Sequence, residues 1–347
     1  MSVKFGVALP NCTEGLCYPT GFTSPEIVVR MAQSAENLGF DSVWCNDHFT
    51  TQRYVRARWQ DPPNYYEPLI TLTAVAAATS RIRIGTCVIV VPLREPVLLA
   101  KQVATLDVFS HGRLIFGVGV GAYREEFEAT YPDRKGQRRG DIHEEGLEAL
   151  SRLFRDRRAS FAGRYMRFED IELYPKPVQQ PLPMWTSGNT RIAAERAGRW
   201  CQGWLPAVMP PATLRDFGNA LRESAAQSGR DASAIEIAPQ IALSIGRTHE
   251  QAVEQFHSSW LYHHFLSLRQ STFKDQDLSG VENINLIGTP DEIGEKLQTF
   301  IDAGCTSFPG LIMSTSTIDE TLELMQHFAE SVMPHFPRTS SDAAVSA

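Results

Sequence analysis

The chain has 347 residues, 43% of them hydrophobic and 21% charged, with a formal net charge of -7. That is the composition of a folded globular chain, and its acidic balance excludes the broad basic face that nucleic-acid binding requires. No stretch approaches the roughly 20 consecutive apolar residues that span a bilayer, so neither a membrane anchor nor a nucleic-acid partner is expected.

The opening MSVKFGVALPN lacks the basic start and long apolar core of a signal peptide, and Lys4 to Leu9 reads as a strand. Ser24 caps a helix with Pro25 at its first position, and Ile27, Met31, Ala35 and Leu38 keep helical spacing. Gly39 stops it, and Asp41 to Cys45 is the next strand. A helix covers Pro68 to Thr79. Arg81 to Val91 (RIRIGTCVIVV) loses its polar alternation halfway, as a strand buried on both faces does. Helix Pro96 to Phe109, strand Leu114 to Val118 and a long helix from Arg139 to Phe154 follow. Prolines 175, 177, 181 and 183 forbid regular structure before strand Met184 to Thr186. Next come helix Thr190 to Trp200, strand Gly203 to Ala207, helix Ala212 to Ser228 and strand Ile235 to Ile245. Thr289-Pro290-Asp291-Glu292 is a capping box whose helix ends at Gly304. Strand Ser307 to Met313 and a final helix complete the order.

Eight strands, each followed by helical sequence, predict an α/β fold: a closed (β/α)8 TIM barrel over residues 1–337, with 338–347 (RTSSDAAVSA) as a flexible tail. Two stretches exceed what a barrel needs: 12–22 with 49–67, and 247–285. Both follow strands, which puts them as insertions at the C-terminal face, and the second is expected to be a mobile lid. The six cysteines (12, 17, 45, 87, 201 and 305) contain no C-x-x-C pair and sit mostly in apolar runs. They read as buried reduced thiols, and the cytoplasm follows as the expected compartment.

Four constellations carry chemistry. Asp47-His48 ends the second strand, where a carboxylate beside an imidazole suits proton transfer near neutral pH; the plainer reading is a loop-capping histidine. Gly117-x-Gly119-x-Gly121-Ala122 fits G-x-G-x-x-A, but it is not followed at once by a long helix or by an acid about 20 residues on, so the Rossmann reading fails. Ser187-Gly188-Asn189-Thr190 joins a strand to a helix start, which makes either an anion cradle or an ordinary N-cap, and Arg191 adds charge. Tyr18, Trp59, Tyr65, Tyr66, Trp260, Tyr262 and Phe265 lie in the insertions, as satellite core or as the wall of an apolar or aromatic substrate pocket. His257, His263 and His264 lack a metal-ligand motif, and no metal is expected.

Four segments resemble the bacterial luciferase-like monooxygenase family, which holds FMN-dependent monooxygenases and F420-dependent oxidoreductases. They are GFDSVWCNDHF (39–49), the long block from Arg81 to Phe127, LYPKPVQQPLPMWTSGNT with AAERAGRWCQGW (173–204), and GTPDEIGEKLQTFIDAG (288–304). The resemblance implies a cofactor across the C-terminal strand ends and usually a homodimer. It implies His48 as acid/base, with Asp47 as its partner or a contact at the ring edge. It places a bulge with a cis peptide at Cys87-Val88, with Thr86, behind the cofactor ring, and Gly119 and Gly121 close against that ring. It makes Ser187 to Thr190 the phosphate-binding turn. Some F420 enzymes of the family carry a catalytic glutamate just after the fourth strand; here Ala122 or Tyr123 stands there, and Glu125 and Glu126 read as the start of a helix. The leading expectation is a monooxygenase using O2 and reduced FMN from a separate flavin reductase, on a small apolar or aromatic substrate. The alternative is F420-dependent hydride transfer without oxygen, and a non-catalytic flavin-binding barrel comes third.

Overall fold

A computed structural model describes residues 2–270, 273 and 280–337. The expected tail at 338–347 lies outside them. Strand Lys4–Ala8 runs between Ser42–Cys45 and Ser307–Met313. From Ser42–Cys45 the order continues through Arg83–Thr86, Leu114–Gly119, Met184–Ser187 and Gly203–Leu205 to Glu236–Ile237, every neighbour parallel. The chain then passes from Ile237 to Ala242–Ile245, which pairs with Ser307–Met313 and closes the ring. The expected seventh strand is therefore one path paired in two segments. The fold is the α/β TIM barrel, with its helices outside.

Alternation along each strand makes two cores. Val43, Cys45, Ile84, Leu114, Phe116 and Met184 face outward, under helix residues such as Leu72, Val103 and Leu150. The alternate residues Trp44, Ile115, Trp185, Leu205 and Ala238 meet Cys87 on the barrel axis. The Trp44 and Trp185 rings lie 5.5 Å apart. Glycines face them: a Cβ on Gly85 would stand 2.4 Å from Trp44, and one on Gly203 2.4 Å from Trp185. Two large rings therefore fill the axis because their strand neighbours have no side chain.

The expected third strand breaks after Thr86. Cys87-Val88 is a cis peptide, and Ile89–Val90 resumes pairing against Leu114–Gly119. Gly117 and Gly119 lie within that fourth strand, and the helix after it, Arg124–Thr130, has only seven residues. Two features carried no expectation: the antiparallel hairpin Ala159–Ala162 with Arg167–Ile171, and strand Leu286–Gly288 beside Ala242–Ile245.

The insertions pack against each other over the mouth. Leu16, Tyr18, Phe22 and Val55 share an apolar cluster with Phe256, Leu261 and Phe265 from helices His249–Ser258 and Trp260–Ser267. Trp59 meets Trp260 at 4.6 Å, under the Arg58 guanidinium. The stretch expected as a lid packs, where described, as a roof over the mouth; its residues 271–272 and 274–279 lie outside the described residues. All six cysteines are buried and free. Among the described residues, no helix is long and apolar enough to cross a membrane.

Candidate active site

The loops after the strands gather at one face and enclose a cavity of about 60 Å³. Asn46 and His48 reach it from the second strand, Gln240 and Ile241 from the seventh, and Ile312 from the eighth. The roof adds Leu16, His264 and Phe265. Buried Asn11 fixes the second loop: its amide donates to the carbonyls of Asn46 (2.8 Å) and Tyr66 (2.9 Å), and its own carbonyl accepts from Asn46 N at 2.9 Å. One side chain therefore ties three segments to the mouth.

His48 and Asp47 point to opposite partners. Asp47 is buried, accepts from Val90 N at 2.9 Å and pairs with Arg94 at 2.7 Å. Arg94 also meets Glu67 at 2.8 Å and covers the Phe49 ring. The carboxylate at His48 is that of Glu126, 3.1 Å from Nδ1. Glu126 has a side-chain exposure of 2% and also accepts from Gln52 Nε2 at 3.0 Å. The Gln52 carbonyl in turn accepts from the Tyr65 hydroxyl at 2.9 Å. The expected Asp47–His48 pairing is thus replaced by a Tyr65–Gln52–Glu126–His48 chain. Gln52 Nε2 also lies 3.1 Å from Nδ1, but it donates to Glu126 at 3.0 Å; a carboxylate only accepts, so the ring proton is assigned to Nδ1 and the lone pair to Nε2 of a ring that lines the cavity. That arrangement can take up or return a proton. Glu126 follows the fourth strand, where the sequence reads only as the start of a helix; its contact with His48, 78 residues away, is what that reading misses.

The proposed cofactor residues divide between contact and support. A Cβ on Gly119 would fall 2.3 Å from Ser187 Oγ and 2.6 Å from Val88 Cγ2, so these three meet in a narrow cradle. Gly121 is left-handed at φ 78. Thr86 and Cys87 lie beneath: Thr86 is buried with its hydroxyl donating to Gly117 O at 2.7 Å, and Cys87 belongs to the axial cluster. Asn189 is committed to Ala207, donating at 2.7 Å and accepting at 2.8 Å. Thr190 caps helix Arg191–Trp200 by accepting from Ala193 N. The first turn of this helix holds no acidic residue, unlike those of Pro290–Asp302 and Ile318–Ser331. Arg139 approaches Gly121, donating to its carbonyl at 2.8 Å, and burial lowers its pKa to about 10. A hydroxyl, a left-handed glycine and a helix start without acids fit an anionic group such as a cofactor phosphate.

Of the seven aromatics proposed for the pocket, Phe265 alone is on the cavity wall. Tyr18 is buried, stacked on Phe22 at 4.1 Å, and Trp59 and Trp260 face each other. Tyr66 contributes its backbone, while Tyr65 carries the ring that faces His48, at 5.6 Å. Among the described residues, no group of three or more His, Cys, Asp or Glu is placed to hold a metal ion.

Residues 3–307 match the family described as luciferase-like monooxygenase. The chain is 28% identical over 327 residues to an F420-dependent glucose-6-phosphate dehydrogenase of Kineococcus radiotolerans, covering 90% of this chain and 93% of the relative. It is 29% identical over 321 residues to an FMNH(2)-dependent dimethylsulfone monooxygenase of Pseudomonas putida, covering 85% and 86%. Among solved structures, a monooxygenase from Streptomyces bottropensis superposes with a TM-score of 0.77 at 24% identity, over 96% of this chain and 99% of the other. With these sequence and structural matches added to the barrel and its mouth, the chain belongs to the luciferase-like monooxygenase family and is an oxidoreductase.

Proposed function

We propose that this chain catalyses a redox reaction between a reduced flavin-type cofactor, held across the strand ends, and a small apolar organic substrate in the roofed cavity, with His48 handling the proton. The observation that carries this reading is the His48–Glu126 pair at the wall of an otherwise largely apolar cavity. Val88 and Gly119 would hold the ring side of the cofactor, and Ser187 and Gly188 with the start of helix Arg191–Trp200 its phosphate. Bound there, reduced FMN supplies two electrons to O2, and F420 exchanges a hydride with its substrate. The residues do the rest: the roof excludes water, the loops orient the substrate, and Glu126 keeps the His48 proton on Nδ1.

The oxygenase reading, with FMN reduced by a separate flavin reductase, is supported by the small, mostly apolar cavity. The F420 reading is favoured by the His48–Glu126 pair, because hydride removal from an alcohol leaves a proton for a base to accept. A homodimer in the cytoplasm belongs to the same proposal, and light scattering of the purified protein measures the assembly.

The test is a fluorescence titration of apo-protein with FMN and with F420, oxidised and reduced, in wild type and Gly188→Leu. Gly188 sits at φ 137 with Ala193 Cβ 2.7 Å from any added Cβ, so a side chain there distorts the turn. Tight binding of reduced FMN supports the oxygenase reading and tight binding of F420 the hydride reading. In the variant the preferred cofactor should bind at least about tenfold more weakly, a loss of about 1.4 kcal/mol, with the circular dichroism unchanged. If neither cofactor binds wild type, the proposal falls; if the variant binds as wild type does, the phosphate assignment falls.

A further inference from the structure

A second imidazole lines the cavity, and the chemistry above does not use it. His264 lies in helix Trp260–Ser267 of the roof. Its Nδ1 is 3.1 Å from the Tyr54 hydroxyl and 3.4 Å from that of Tyr123, and the two hydroxyls are 3.2 Å apart. The two phenols have one proton each. If Tyr54 donates to Nδ1 and Tyr123 donates to the Tyr54 oxygen, both protons are used and the two shorter of the three contacts are satisfied, the 3.4 Å one being the contact left over. A phenol donates better than it accepts, and an imidazole lone pair accepts well, which favours this direction. Burial holds the ring neutral, with its pKa lowered to about 3. A neutral ring that accepts at Nδ1 carries its proton on Nε2.

The two imidazoles therefore have opposite polarity. Glu126 makes His48 an acceptor at Nε2, and the tyrosine pair makes His264 a donor at Nε2. Around them most of the wall is apolar, with Leu16, Ile241, Phe265 and Ile312, while Thr13, Asn46 and Gln240 are the other polar residues that line it. An acceptor and a donor facing one small apolar space match a single oxygen atom. A hydroxyl gives its proton to the acceptor and takes the donor on its lone pair; a carbonyl takes the donor alone.

We propose that His264, set by Tyr54 and Tyr123, is a substrate-binding donor that selects small apolar molecules bearing one hydroxyl or carbonyl oxygen. This rests on the cavity being the substrate site, and it holds whether the cofactor is FMN or F420. Neither the fold nor the proton chemistry of His48 requires it.

Two measurements test it on cofactor-free protein. Long-range proton–nitrogen NMR correlations read the ring tautomers directly. His264 should show the Nε2–H form in wild type and lose it in Tyr54→Phe; an Nδ1–H ring in wild type overturns the proposal. Saturation-transfer NMR then compares cyclopentanol, cyclopentanone and the oxygen-free methylcyclopentane. In His264→Phe the two oxygen ligands should bind up to about tenfold more weakly, the effect of one lost hydrogen bond, and methylcyclopentane about as in wild type. Equal weakening of all three makes His264 mere packing, and no weakening removes it from the site; either result overturns the proposal while the cavity stands. If none of the three perturbs the His48 ring signals of wild type, the cavity reading itself fails and the proposal falls with it.

Discussion

His48→Ala should lower the single-turnover rate by about 10²–10⁴-fold, the range for losing a positioned acid or base, while cofactor affinity stays near wild type. Glu126→Gln should lower it too, and by less. The amide keeps the shape of Glu126, but its nitrogen does not accept, so the ring is free to turn or to change tautomer. The two losses should not add, because the carboxylate acts through the imidazole. The stability cost of His48→Ala comes from Glu126, which is buried and keeps only Gln52 of these partners. About 1–3 kcal/mol is expected for that lost contact, below a large core truncation. Rapid-mixing kinetics and urea unfolding on the same preparations give both numbers. A His48→Ala enzyme that turns over normally would make the ring structural, and Glu126 would lose its role with it.

Asp47→Ala should have the reverse profile, a large loss of stability. Its partner Arg94 has a side-chain exposure of only 9% and would face the space left by a buried carboxylate. Breaking such a pair costs up to about 3–5 kcal/mol, the lower end applying here because Glu67 still pairs with Arg94, whereas replacing both members by apolar groups costs much less. The double variant Asp47→Ala, Arg94→Met should therefore be more stable than Asp47→Ala alone. Urea midpoints of the three proteins check this, and a single variant as stable as wild type would show that the loop does not depend on the clamp.

The contrast between these neighbours explains what was legible in the sequence. Along a strand, consecutive side chains point to opposite sides, and Asp47 and His48, just past the end of Ser42–Cys45, still do so: one turns to Arg94 and the other to the cavity. Adjacency in sequence was evidence against their pairing. Tyr65 and Tyr66 repeat the lesson, with only the first ring at His48. The barrel was readable because each of its eight strands is an apolar run bounded by helix caps. Hairpin Ala159–Ala162 with Arg167–Ile171 was not: its short strands have exposed positions and lie among charged residues. Glu126 carries a partial signal, as one of two acids just after the fourth strand, but its partner does not show; His264 carries none, since it acquires its partners only when a short helix settles over the mouth. The glycines at 119 and 188 were legible because close approach and left-handed backbone leave a residue-type signature.

The two tryptophans on the axis also govern traffic. Trp44 and Trp185 fill the middle of the barrel, so among the described residues the axis is packed shut below the mouth. Cofactor, substrate and product must share the mouth, beside a packed roof. Arrival and departure then become a queue, in which the last molecule in blocks those before it. Steady-state patterns should be those of a compulsory sequence, with product inhibition competitive toward one partner only. Turnover should track the opening of the roof more closely than the bond-making step.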